Sequence, residues 1–190
     1  MSATEALQKL TTALDRAGIP YMLTGSFAGS YYGASRSTQD IDFVIEASSE
    51  QLRTFAESLS EGNYYVEVDA AIQALHSRSL FNVIDLSNGW KADLIIRKAR
   101  PFSEEEFRRR QLVELNGVPL FITSAEDIIL AKMEWARMSG STRQIEDVAA
   151  IVRLQWKVLD LPYVESWAAS LQLRPQWEEA RRRAGIATDG

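Results

Sequence analysis

Hydrophobic spacing in this chain changes character once, near Ser124, and that change constrains the fold more than any figure of composition does. Upstream, short β-type runs bounded by turn residues alternate with helical stripes. Downstream, apolar residues recur three or four apart as far as Ala184. The chain is therefore expected to be α/β (α+β). A mixed β-sheet flanked by helices spans residues 1–123, and a C-terminal helical region over 124–190 packs on that core. With 190 residues, 46% of them apolar, the chain is long enough to bury one real core.

The local signals are specific. Leu7, Leu10 and Leu14 predict a helix over 5–17, ended by Gly18-Ile19-Pro20. Tyr21 to Thr24 reads as a buried strand cut off by Gly25, with a helix starting at Phe27. Ile41 to Ile45 is a second strand, and Ser48 with Gln51 is a capping box opening a helix to about Leu59. Tyr64–Val68, Leu80–Leu86 and Trp90–Ile96 read as strands, the last two joined in a hairpin at Ser87-Asn88-Gly89. Ser103 with Glu104 to Glu106 predicts an acidic first turn for a helix ending in Arg108 to Arg110. Leu112–Leu115 and Leu120–Ile122 flank Asn116-Gly117, a second hairpin signal. Four helices are expected beyond, at about 124–138, 142–155, 160–171 and 175–184.

Composition then removes classes of chemistry. The chain has no cysteine and one histidine, His76, so disulfides, thiolate sites, a cysteine nucleophile and any two-histidine site are excluded. Carboxylates remain as metal ligands, and they favour hard cations such as Mg²⁺. A formal net charge of −5 argues against a surface that coats nucleic acid. The basic runs Arg97-Lys98-Arg100, Arg108 to Arg110 and Arg181 to Arg183 are expected as solvated faces. No apolar run approaches the roughly 20 residues that cross a bilayer, and the first residues lack a secretory pattern, so a cytoplasmic protein without a membrane partner is expected. Of Trp90, Trp135, Trp156, Trp167 and Trp177, most are expected in the core.

The chemistry concentrates between Leu23 and Phe43. Asp40 and Asp42 stand one residue apart at the edge of a strand, where side chains i and i+2 share a face. A bare Asp-x-Asp is an ordinary turn and surface pattern. Here the two carboxylates would repel unless a positive charge sat between them, and Mg²⁺ held by one or two carboxylates and phosphate oxygens meets that need. Gly25-Ser26, between a strand and a helix, allows close approach of backbone to phosphate, and the Ser26 hydroxyl can add a hydrogen bond. Asp93 lies in the otherwise apolar stretch Ala92 to Ile96, where a carboxylate buried alone costs several kcal/mol and a shared metal would neutralise it.

Gly25-Ser26, thirteen further residues, Asp40-Ile41-Asp42 and then Asp93 on a later strand resemble the signature of the polymerase-β-like nucleotidyltransferase superfamily. Within it, Arg36-Ser37-Thr38-Gln39-Asp40-Ile41-Asp42, followed by Ser124 to Lys132 and Arg143 to Val148, resembles the AbiEii/AbiGii-type toxin nucleotidyltransferases. The resemblance spans roughly residues 20 to 155. It implies an acidic triad, Asp40, Asp42 and Asp93, binding one or two Mg²⁺, with Asp93 on a second metal or accepting the proton of the attacking hydroxyl. It also implies transfer of a nucleoside monophosphate from NTP to an acceptor, tRNA in several relatives, in a toxin paired with a cognate antitoxin protein. Arg36 would contact phosphate or form a salt bridge within its loop. Lys132 and Asp147 would neutralise and orient at the site, or join two helices as a buried ion pair. Two other readings share the fold: a catalytically silent binding module, and an antibiotic-modifying nucleotidyltransferase with a small-molecule acceptor.

Overall fold

The structure, a computed structural model, describes residues 3–34, 38–60 and 62–186. Contacts divide the chain into two units, Met1–Phe27 with Thr38–Ile122, and Ala28–Ser37 with Thr123–Gly190. Within the first unit run α1 (Ala3–Arg16), β1 (Tyr21–Thr24) and the start of α2 (Gly25–Tyr31). After them come β2 (Asp40–Ile45), α3 (Ser49–Ser60), β3 (Tyr64–Val66), α4 (Val68–Ser77), β4 (Leu80–Asp85), β5 (Lys91–Ile96), α5 (Pro101–Arg108), β6 (Gln111–Leu115) and β7 (Val118–Ile122).

Among the described residues the strands form one seven-stranded mixed sheet in the order β3-β4-β5-β2-β1-β7-β6. β2 runs parallel to β5 and β1 parallel to β7, and the other neighbours are antiparallel. Burial alternates along β2, β4 and β5. Phe81, Leu94, Phe43, Leu23 and Ile122, register partners across five strands, are all buried. That face is closed by helices whose apolar stripes carry Leu7, Leu10 and Leu14 from α1 and Leu52 and Phe55 from α3. The alternate positions Asp40, Asp42, Lys91 and Asp93 therefore share the opposite, half-open face.

Both sequence-marked hairpins form. Asn116 and Gly117 adopt φ of 52° and 81°, the paired positive angles of a type I′ turn, and so hold β6 against β7. The Ser48/Gln51 box closes reciprocally, Ser48 N–H donating to Gln51 Oε1 at 2.9 Å and Gln51 N–H to Ser48 Oγ at 3.2 Å. Two local expectations are corrected. The run from Tyr64 stops as a strand at Val66, and residues 68–77 form α4. α5 starts at Pro101, two residues before the expected Ser103, because proline suits the first helical turn, and it ends at Arg108. Ser103 instead accepts a hydrogen bond from Arg100 Nε.

The second unit is helical, with α6 (Ala125–Ser139), α7 (Thr142–Gln155), α8 (Leu161–Ser170) and α9 (Arg174–Ala184) packed on one another. The segment after Phe27 clusters with it: Tyr32 donates its hydroxyl to the Thr123 carbonyl at 2.8 Å, and Gln155 Nε2 donates to the Tyr32 carbonyl. No helix among the described residues is long and apolar enough to cross a membrane.

Candidate active site

The half-open face of the first unit is built by register. Asp40 N–H donates to Thr38 Oγ1 at 3.1 Å, which fixes the entry to β2. Across the parallel β2/β5 pair, Asp40 stands opposite Lys91 and Asp42 opposite Asp93. Paired residues share a face, so these four side chains make a two-by-two patch of three acids and one base. The rung through Asp42 extends further: Asn82 of β4 lies opposite Asp93, and Thr24 of β1 opposite Asp42. Asn82, Asp93, Asp42 and Thr24 thus form one row across four strands.

Asp93 has partners within the protein. Lys91 Nζ lies 2.9 Å from Asp93 Oδ1, and Asn82 Nδ2 donates to the same oxygen at 2.6 Å. Its side chain is 19% exposed. The expectation of a carboxylate buried alone is corrected on both counts, because residues 91, 93 and 95 of β5 point to the face that the packed helices leave half-open. The hydrogen bond to Asp93 is the main cause that holds the Lys91 ammonium above its ordinary range. Partial burial opposes it, and the charges of Asp93, Asp40 and Asp42 add to it. The positive charge that the acidic pair requires is therefore present in the chain itself. The i, i+2 rule that joins Asp40 to Asp42 also joins Lys91 to Asp93, and it was the signal available in the sequence for Lys91.

Gly25 sits at the junction of β1 and α2 with φ +65°. A Cβ placed there would stand 2.9 Å from Asp42 Cβ and overlap the Asp42 carboxylate, so only glycine brings this backbone against that acid. Ser26 follows as the second residue of α2, half-buried. Gly25, Asp40, Asp42 and Asp93 are thus brought together in one unit. Arg36 lies outside the described residues.

Among the described residues, no three acidic, histidine or cysteine side chains converge tightly enough to hold a metal ion between them. The donor set on the face nevertheless suits a hard cation: all carboxylate, with Asp42 and Asp93 in register and the face half-open to solvent. Mg²⁺ needs only one or two protein carboxylates when phosphate oxygens and water complete its octahedron, and Asp40 with Asp42 meets that requirement.

Lys132 and Asp147 belong to the second unit and pair with each other. Lys132 Nζ lies 2.7 Å from Asp147 Oδ2 and donates to Gln144 Oε1 at 3.2 Å, joining α6 to α7, with the lysine side chain 5% exposed. Ser124 caps α6 by accepting from Asp127 N–H at 3.1 Å, and the buried Asp127 carboxylate accepts from the hydroxyls of Ser124 and Tyr163, each at 2.6 Å. The arginine runs carry acid partners: Arg97 with Glu46 and Glu104, Arg108 with Glu105, Arg182 and Arg183 with Glu179. The expectation for the tryptophans is corrected. Trp177 is buried, Trp90, Trp156 and Trp167 are half-buried, and Trp135 is 55% exposed on α6.

The mixed sheet with flanking helices and C-terminal helices is consistent with nucleotidyltransferase-like folds. Among solved structures, the antibiotic-resistance factor ANT(2'')-Ia matches with a TM-score of 0.59 at 18% identity, over 96% of this chain and 98% of that one. The same protein in complex with adenylyl-2''-tobramycin matches with a TM-score of 0.57 at 17% identity, over 90% and 97%. An antigenic nucleotidyltransferase-like protein from Paracoccidioides brasiliensis gives 0.58 at 18% identity, over 97% and 93%. No protein-family model matches the sequence, and no curated protein sequence does.

Proposed function

We propose that this chain is a divalent-metal-dependent nucleotidyltransferase that moves a nucleoside monophosphate from NTP to an acceptor hydroxyl. The observation that carries the reading is the row Asn82, Asp93, Asp42, Thr24 with Asp40 two residues away, three aspartates on one open sheet face beside the Gly25-Ser26 turn. In this scheme Asp40 and Asp42 hold Mg²⁺, and the bound ion supplies neutralisation of triphosphate charge. Ser26 donates its hydroxyl to a phosphate oxygen, the Gly25 backbone lets the nucleotide approach, and Arg36 contacts phosphate. Asp93 joins the cation site, or takes the proton of the acceptor hydroxyl, as the new oxygen–phosphorus bond forms and pyrophosphate leaves. Lys132 and Asp147 keep α6 and α7 in place; direct participation of either in the reaction is the alternative that their variants separate.

A small, hydroxyl-bearing cation is the acceptor we favour. The chain is acidic overall, the candidate face holds three acids to one base, and Arg97, Arg108, Arg182 and Arg183 of its basic runs are paired with acids. Support also comes from the fold likeness to an enzyme bound to an adenylylated aminoglycoside. A second reading, tRNA as acceptor in a toxin with a cognate antitoxin, rests on residues 36–42, 124–132 and 143–148.

The test is incubation with each of the four α-labelled NTPs, with Mg²⁺ or EDTA, and with either an aminoglycoside panel or total RNA. Label is expected in a small product, only with Mg²⁺, and is expected to fall at least about a thousandfold in Asp42→Ala. Labelled tRNA would move the assignment to the second reading. Full activity in Asp42→Ala would sink the assignment of the site, and a folded chain that binds no NTP would make it a silent module.

A further inference from the structure

One corner of the two-by-two patch is a lysine, and its position bears on how the site is filled. Lys91 stands opposite Asp40 and two residues before Asp93, so its ammonium shares a face with all three aspartates. It lies 2.9 Å from Asp93 Oδ1, the oxygen that also accepts from Asn82 Nδ2 at 2.6 Å. With two donors already on that oxygen, Asp93 is engaged in this state, in keeping with the absence of a three-carboxylate cluster among the described residues. The lysine side chain is 40% exposed and its four-carbon stem is flexible, so the ammonium can leave the face without unpacking the sheet.

We propose that Lys91 is a resident counter-ion that competes with the divalent cation for Asp93. This rests on the reading of Asp40 and Asp42 as cation ligands. When the face holds no cation, the ammonium offsets the repulsion among three carboxylates. When a cation arrives, the ammonium held on Asp93 Oδ1 repels it across the shared carboxylate, so full engagement of Asp93 by the cation is favoured once Lys91 swings to solvent. Lys91 thereby weakens binding of the cation alone and leaves tight binding to the cation that arrives with phosphate oxygens. Asn82 stays on Asp93 in both states, because a neutral amide does not repel the ion.

The experiment is a Mn²⁺ titration without nucleotide, followed by the paramagnetic resonance signal of free Mn²⁺, on the native chain, Lys91→Met, Lys91→Gln and Asp42→Asn. Melting of each protein is measured with and without Mn²⁺. Both Lys91 variants are expected to bind Mn²⁺ at least about tenfold more tightly than the native chain. They are also expected to melt lower when metal-free and to gain more from Mn²⁺. Equal or weaker binding in both Lys91 variants, with binding lost in Asp42→Asn, overturns the counter-ion and leaves the metal site standing. Absence of binding in all four proteins, or binding that Asp42→Asn does not alter, overturns the metal site and the counter-ion with it.

Discussion

Gly25 is the residue on which the candidate site is most sensitive to a single methyl group. Its φ of +65° costs an L-residue about 1–2 kcal/mol, and the added Cβ would overlap the Asp42 carboxylate. Gly25→Ala is therefore expected to lower stability by about 1–3 kcal/mol and to cut nucleotidyl transfer much further, because the carboxylate itself must move. Urea unfolding gives the first quantity and kcat/KM the second; activity within twofold of the native chain would show that the Asp42 position is not critical. At this scale much was legible. Asp40 and Asp42 share a face because they stand two apart on a strand, and a glycine between strand and helix announces a close approach. The partners of Asp93 were not legible, since they depend on the pairing of separate strands. If the hairpin is closed between Leu86 and Trp90, as its turn residues suggest, Asn82 falls opposite Leu94. The actual closing pair, Asp85 with Trp90, moves it opposite Asp93.

Among the elements, α6 and α7 owe part of their arrangement to one ion pair with little access to water. Lys132→Met takes the ammonium away from a carboxylate with little access to water and is expected to cost about 3–5 kcal/mol. Removing both, in Lys132→Met with Asp147→Leu, is expected to recover most of that loss. Thermal and urea unfolding of the three variants check the prediction. If the double variant regains stability and also retains activity, the pair acts only as a brace; recovery of the fold without recovery of transfer assigns it a part in the reaction. Caps and turns were the elements most visible beforehand, because the Ser48/Gln51 box and the Asn116-Gly117 turn each require particular residue types at particular positions. α4 was invisible for the opposite reason. Its fully buried residues are Ala71 and Ala74, too small to stand out as an apolar stripe, and the aromatic and β-branched run Tyr64 to Val66 leads straight into it.

For the whole molecule, charge makes the clearest forecast. A chain with formal net charge −5 whose basic runs carry acid partners should bind random-sequence DNA or RNA only weakly. Fluorescence anisotropy at physiological salt is expected to show no saturation up to about 100 µM, near the weak limit of ordinary non-specific binding. Saturation at low micromolar protein would revive a nucleic-acid acceptor. The sequence by itself determined the α/β beginning and helical end and the exclusion of thiol and two-histidine chemistry, and it marked the three aspartates proposed as the site. Periodicity, composition and spacing of two are local properties that survive without knowledge of any partner strand. The tertiary structure decided that Asp42 faces Asp93, that Lys91 and Asn82 attend Asp93, that Gly25 abuts Asp42, and that Lys132 meets Asp147. Each of these joins segments far apart in the chain, and a strand register slipped by one residue would have turned the same side chains to the opposite face.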